Sequence, residues 1–183
     1  MPTRIAVIGA GSVGFTRRLL RDVLSVPALN DTQFAFTDIS RENLDLVTKL
    51  CRKDIRSNRL PARISATTHR RRALRDADYV ICCVRGGGLE AFRHDIEIPL
   101  KYGVDQCVGD TLCAGGIMYG QRSIPQILDF ARDIRDVAKP NALLLNYANP
   151  MACLLYTFSE PTRRYAISYA VFCLKKKRGG GGG

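Results

Sequence analysis

The 183-residue chain is long enough for one domain with a buried core and too short for two. Its 46% hydrophobic content is ordinary for a globular protein. No apolar run approaches the ~18 residues of a membrane span, and the N-terminus lacks the basic-then-apolar pattern of a secretion signal, so a soluble, cytoplasmic protein without membrane partners is expected.

Chain order begins with an apolar run, Arg4-Ile5-Ala6-Val7-Ile8, that reads as a short buried strand. It is followed by Gly9-Ala10-Gly11-Ser12-Val13-Gly14 and a helical pattern from about Val13 to Leu24, ended by Pro27. In a G-x-G-x-x-G turn between strand and helix, the first glycine makes the tight turn and the second lets the backbone approach a ligand. The third lets the helix pack on the strand. The amides of Val13 to Thr16 are expected to lack internal partners and to sit at the positive end of the helix dipole, where a pyrophosphate fits. Gln33-Phe34-Ala35-Phe36-Thr37 reads as a second strand with Asp38 at its end, near the spacing of about 20 residues at which an acidic residue binds the adenosine ribose. A carboxylate there repels a 2′-phosphate and favours NAD over NADP. Gly9, Gly11, Ser12, Val13, Gly14 and Asp38 are thus the candidate cofactor residues, although a carboxylate at a strand end can also cap the next helix.

A second helix is expected from about Arg41 to Ser57, with Ser40 as its N-cap and Leu44, Val47, Cys51 and Ile55 forming one apolar stripe. Pro61, a strand over Arg63–Ala66, a helical turn near Arg71–Arg75 and a strand over Tyr79–Val84 follow. The fourth strand ends in Arg85-Gly86-Gly87-Gly88, and these glycines are expected beside Gly9–Gly14, because ligands bind beyond the carboxyl ends of parallel strands. A helix from about Leu89 to Leu100, interrupted by Pro99, leads to a glycine-bearing loop over Gly103–Gly116. A helix over Ser123–Val137 and a strand over Asn141–Leu145 come next, and a last helix and strand fall within about Met151 to Phe172. Alternating strands and helices predict an α/β fold, a Rossmann-like, doubly wound and mainly parallel sheet over residues 1–172. The tail KKKRGGGGG has no core-forming pattern, and 173–183 are expected to be disordered.

The seven cysteines form no C-x-x-C pair or metal-finger spacing and read as reduced thiols packed as small apolar groups, the adjacent Cys82 and Cys83 pointing to opposite faces. The net charge of +11 comes largely from Arg52–Arg75 and from Lys175-Lys176-Lys177-Arg178. The first stretch has no aromatic residue on which bases could stack and reads as a solvated face, with a nucleic-acid patch as the alternative.

Several further motifs stand in collinear order with the glycine turn: Gly87-Gly88-Leu89-Glu90-Ala91-Phe92-Arg93, Ile98-Pro99-Leu100-Lys101-Tyr102-Gly103-Val104, Gly109-Asp110-Thr111-Leu112, Gly115-Gly116-Ile117 and Asn146-Tyr147-Ala148-Asn149-Pro150-Met151. Over about residues 4 to 165 the chain resembles the family 4 glycoside hydrolases, most of all their α-galactosidase/α-glucosidase branch. The resemblance implies a glycosidase acting on O-glycosyl bonds with NAD and, in the family, manganese. Family members depart from the two-carboxylate scheme of most glycosidases. They oxidise C3 of the sugar, remove the C2 proton with a tyrosine base, eliminate the leaving group, add water and return the hydride.

The resemblance makes Asn149 a sugar-binding residue, where the alternative is a turn asparagine before Pro150. It gives Asp110 a catalytic role, raising the basicity of the tyrosine, with loop capping as the alternative. Arg93 becomes a substrate-side arginine, or else a solvated helix residue. Two departures stand out. Cys113 and Ala114 replace a Gly-Pro pair, which is harmful if that glycine needs positive φ. The family's Cys-His metal motif is expected near residues 165–175, where Cys173 has no adjacent histidine, so no metal ligand is assigned. The C-terminal substrate domain of the family, with its second metal ligand and tyrosine base, is expected to be missing from the chain. The reading is therefore the NAD-binding, N-terminal portion of such a glycosidase, not expected to turn over glycosides by itself and prone to homo-oligomerise. A non-catalytic NAD-binding module and a small NAD-dependent dehydrogenase are the alternatives.

Overall fold

The computed structural model describes residues 2–149 and the backbone of 170–173. The strands are β1 (Arg4–Ile8), β2 (Gln33–Thr37), β3 (Arg63–Ala66), β4 (Tyr79–Cys82), β5 (Leu143–Asn146) and β6 (Ala170–Cys173). They lie side by side in the order β3-β2-β1-β4-β5-β6, the doubly wound arrangement expected of a dinucleotide-binding fold. β1 to β5 are parallel, and β6 runs antiparallel to β5. The helices are α1 (Val13–Leu24), α2 (Arg41–Ser57), α3 (Arg70–Leu74), α4 (Gly88–Lys101) and α5 (Ala114–Val137).

The two-residue side-chain period of β1 divides the core into two layers. Ile5 and Val7 join Phe34, Phe36, Leu20, Leu24, Leu44, Val47 and Cys51 on the face covered by α1 and α2. Ala6 and Ile8 join Val80, Cys82, Leu144, Leu74, Ile127 and Ile134 on the face covered by α3 and α5. Cys82 and Cys83 do pack on opposite faces. Burial pushes the thiol of Cys82 up to about 12 and that of Cys51 up to about 11, so both stay protonated as packing groups. All described cysteines are free thiols.

The structure differs from the sequence reading at several boundaries. Helix α5 starts at Ala114, nine residues before the expected position, so only Tyr102–Cys113 forms the loop. Gly115 and Gly116 look like helix breakers, but close packing fixes them: a Cβ on Gly115 would stand 2.5 Å from the Asp95 carbonyl oxygen, and one on Gly116 would stand 2.7 Å from the backbone of Thr111. Helix α4 runs through Pro99 instead of breaking there. β4 stops at Cys82, and β5 is shifted toward Asn146. Cys113, feared to need positive φ, is extended at φ −82° and simply precedes α5, its carbonyl accepting from the Ile117 N–H. The expected helix after Met151 and the tail beyond Cys173 lie outside the described residues. No described helix is long and apolar enough to cross a membrane.

Candidate active site

The carboxyl ends of β1 and β2 form the first half of the site. Gly9 has φ +84°, a left-handed turn in which a Cβ would stand 2.7 Å from the Cys83 carbonyl oxygen, and the Gly9 and Ala10 amides both donate to the Thr37 carbonyl. Gly11 is required by Asp38 itself: the Gly11 N–H donates to Asp38 Oδ2 at 2.7 Å, and a Cβ on Gly11 would stand 2.8 Å from that oxygen. The other carboxylate oxygen accepts from the Ser40 N–H at 2.9 Å. Asp38 therefore locks the glycine turn to the start of α2, and each oxygen keeps acceptor capacity for an incoming hydroxyl.

Two expectations for this loop are corrected. Gly14 does not serve helix–strand packing, because a Cβ there would meet nothing within 4 Å; α1 packs instead through Thr16, Leu20 and Leu24. The Thr16 amide is not free, since it donates to the Ser12 carbonyl at 3.0 Å. The amides of Val13, Gly14 and Phe15 are left at the helix start, with no side-chain cap from Ser12 and no acidic residue in the first turn. Three N–H groups and an unopposed dipole in one turn suit an anion.

The second half lies beyond β4 and β5. Cys83 and Val84 are the neighbours of Gly9, whereas Gly86 and Gly87 turn toward α5, against Ser123, Gln126 and Arg122. The expected contact between the two glycine runs is thus made by the residues just before the second one. Asn146 is fully buried and closes its own turn, donating Nδ2 to the Ala148 carbonyl at 3.1 Å while its Oδ1 accepts from the Ala148 N–H at 3.3 Å. That turn delivers Asn149, whose Nδ2 donates to Asp110 Oδ2 at 3.0 Å. The residue that the resemblance made sugar-binding thus meets the one it made catalytic. Tyr147, in the same turn, packs edge-on against Phe15 in the first turn of α1, with ring centroids 5.5 Å apart, which ties the two halves together.

Arg93 does not join them. Its side chain is 73% exposed and its Nε donates to Glu97 Oε1 one turn along α4, the arrangement of a solvated helix arginine. The arginine that reaches Asp110 is Arg85, with Nη2 3.6 Å from Oδ2. Its guanidinium lies 4.5 Å from the Phe92 ring centroid and 5.1 Å from that of Tyr119, and its buried Nη1 has no partner among the described residues. Beneath it, Arg122 makes a bidentate pair with Asp95, whose side chain is 4% exposed, and donates Nε to the Gly86 carbonyl. Removing Arg122 would leave the Asp95 carboxylate out of water, a loss of about 3–5 kcal/mol. Neither arginine was singled out from the sequence. For Arg85 the signal was there, a cation at the carboxyl end of a parallel strand just before a glycine run.

The Arg52–Arg75 stretch is only partly a solvated face. Arg70 reaches Asp129 and Asp133, Arg71 reaches Asp133 and Asp136, Arg52 donates to the Ile64 carbonyl and Arg56 to the Arg52 carbonyl, so these four cations are engaged within the fold.

Sheet order, glycine turn and strand-end carboxylate together define a dinucleotide-binding α/β protein. Residues 4–173 match the model of the family 4 glycosyl hydrolases, and the chain belongs to that family. It is 62% identical over 149 residues to an α-galactosidase of Rhizobium meliloti, covering 81% of this chain and 30% of the relative. It is 36% identical over 158 residues to an α-glucosidase of Erwinia rhapontici, covering 86% of this chain and 35% of the relative. The fold superposes on the 6-phospho-β-glucosidase of Thermotoga maritima, solved with manganese, NAD+ and glucose-6-phosphate, at a TM-score of 0.72 and 29% identity, covering 81% of this chain and 34% of that one. The chain therefore spans about a third of the length of the relatives it matches.

Proposed function

We propose that this chain forms the NAD-binding part, and one wall of the sugar site, of a glycosidase that hydrolyses α-galactosides or α-glucosides. The observation that carries the reading is the first turn of α1, where the Val13, Gly14 and Phe15 amides have no partner among the described residues and stand beside a carboxylate fixed at the end of β2. In this reading those amides hold the pyrophosphate, Gly9 and Gly11 shape the turn, Ser12 flanks it, and Asp38 accepts hydrogen bonds from the adenosine ribose. The dinucleotide supplies reversible hydride storage. The 62% identity to an α-galactosidase favours a galactoside, and Asn149 and Asp110 would contact its hydroxyls.

Manganese is bound in the Thermotoga structure. Among the described residues no group of three or more His, Cys, Asp and Glu side chains is placed to hold a metal ion, and no step is assigned to one. Burial pushes the phenol of Tyr119 above its ordinary range, the wrong direction for a base that would take a proton from the sugar. Calorimetric titration of the full chain with NAD and NADP tests the reading. Saturable NAD binding, with NADP weaker by about tenfold or more because Asp38 faces the 2′-phosphate, supports it. Equal affinities, or no heat with millimolar NAD, would refute it.

A further inference from the structure

We propose that Arg85 is a sugar-contact residue, its Nη1 N–H donating to a hydroxyl oxygen of the glycoside held at Asp110 and Asn149. The inference rests on the reading of that pair as sugar-facing, and it adds a residue for which the motif resemblance gave no role. Three observations converge on it. The first is position: Arg85 follows β4 at the carboxyl end of the sheet, where the chain leaves for α4, next to the strand that carries Asn146. The second is fixation. The guanidinium lies within 4.5 Å of the Phe92 ring centroid and 5.1 Å of that of Tyr119, so little side-chain freedom remains to be lost when a ligand arrives.

The third is the hydrogen-bond inventory. Nη2 faces Asp110 Oδ2, which already accepts from Asn149, and Asp110 Oδ1 accepts from the Thr111 hydroxyl at 3.3 Å. Nη1 is out of contact with solvent and has no acceptor among the described residues. An N–H without an acceptor, on a guanidinium whose other terminal nitrogen faces the carboxylate that Asn149 also meets, calls for an oxygen from outside. The kind of oxygen follows from the charge. Arg85 is already paired with Asp110, so a phosphate or carboxylate at Nη1 would also face the Asp110 carboxylate. An uncharged hydroxyl would not, and it can in turn donate to a neighbouring acceptor.

The test is a titration of the full chain, labelled at arginine and backbone nitrogen, followed by NMR. NAD is added first, then methyl α-D-galactopyranoside. The proposal predicts that NAD moves the Val13–Phe15 amides. The galactoside then moves the Arg85 Nη and Asn149 Nδ2 resonances along one saturation curve. The Arg85→Lys variant, which keeps the cation and loses the planar double stack, should bind the galactoside about tenfold more weakly with its NAD response intact. Arg85 resonances that respond to NAD alone, that respond only to galactose 6-phosphate, or that stay fixed while the galactoside is raised would overturn the proposal. So would unchanged galactoside affinity in Arg85→Lys. A chain whose Val13–Phe15 amides ignore NAD would fail on the cofactor reading instead, which separates the two.

Discussion

Helices α1 and α2 begin alike and end up in different employment. Each follows a parallel strand of the same sheet, and each is preceded by a serine of nearly identical backbone, Ser12 at φ −79°, ψ 105° and Ser40 at φ −87°, ψ 107°. At α2 the serine oxygen accepts from the Asn43 amide and Glu42 sits in the first turn, so the helix end is satisfied by its own sequence. At α1 the serine makes no cap, no acid is present, and Gly14 occupies the place corresponding to Glu42. Two equal backbones thus differ by a few side chains in whether the positive end of the helix is neutralised from within or kept for a ligand. Asp38 stands between them, holding Gly11 on one side and Ser40 on the other.

The difference can be erased by giving α1 the acid that α2 has. Gly14→Glu should weaken NAD binding by about thirtyfold or more, roughly 2 kcal/mol, through repulsion and the loss of a charged hydrogen bond. The same change should raise the melting temperature, because a first-turn acid and the removal of a helical glycine each contribute about 0.5 kcal/mol. Calorimetry and thermal unfolding should therefore move in opposite directions; a loss of both would mean that Gly14 is needed for the fold. Asp38→Asn removes the charge while leaving an acceptor for the Gly11 amide. It should weaken NAD about tenfold and narrow the preference over NADP, measured as the ratio of the two dissociation constants.

Ser40→Ala should cost about 0.5–1 kcal/mol in denaturant unfolding without changing NAD affinity, whereas Ser12→Ala should lie within about 0.5 kcal/mol of the wild type. The smallest effect concerns the tie between the two helices. Hydrogen bonds from Arg17 on α1, assisted by Arg21, lower the Asp54 carboxyl on α2 from 3.8 to about 2, against an opposing effect of burial. Because the folded value is depressed, the stability it contributes is complete above the unfolded value and is lost as pH falls from 3.8 toward 2. Asp54→Asn should flatten unfolding midpoints over that acid window relative to the wild type; an unchanged acid limb would show that other carboxylates dominate it.

The cofactor half of the molecule was legible because its signals are local. The bounds of β1, β2, α1, α2 and β3 follow from periodicity, a serine cap and glycine spacing, all within short windows of sequence. Even there, the reasons for two glycines came out differently: Gly11 makes room for Asp38, and Gly14 faces open space. The region beyond β4 and β5 is made by tertiary contacts. Nothing near Gly115 reveals that the Asp95 carbonyl will crowd it, so the start of α5 was missed. Nothing near Arg85 or Arg93 says which of them swings toward Asp110; that choice depends on Phe92 and Tyr119 closing around one and Glu97 capturing the other. Asp110 and Asn149, far apart in sequence, were singled out only through resemblance, and their meeting is realised by the self-closed turn of Asn146.

The contrast between the two helix ends is tested most directly by following backbone amides as NAD is added to the full chain. Large, saturable shifts at Val13, Gly14 and Phe15, with the α2 amides of Arg41, Glu42 and Asn43 nearly still, are the predicted result. Equal movement at both ends, or silence at α1 with the ligand at millimolar concentration, would contradict it.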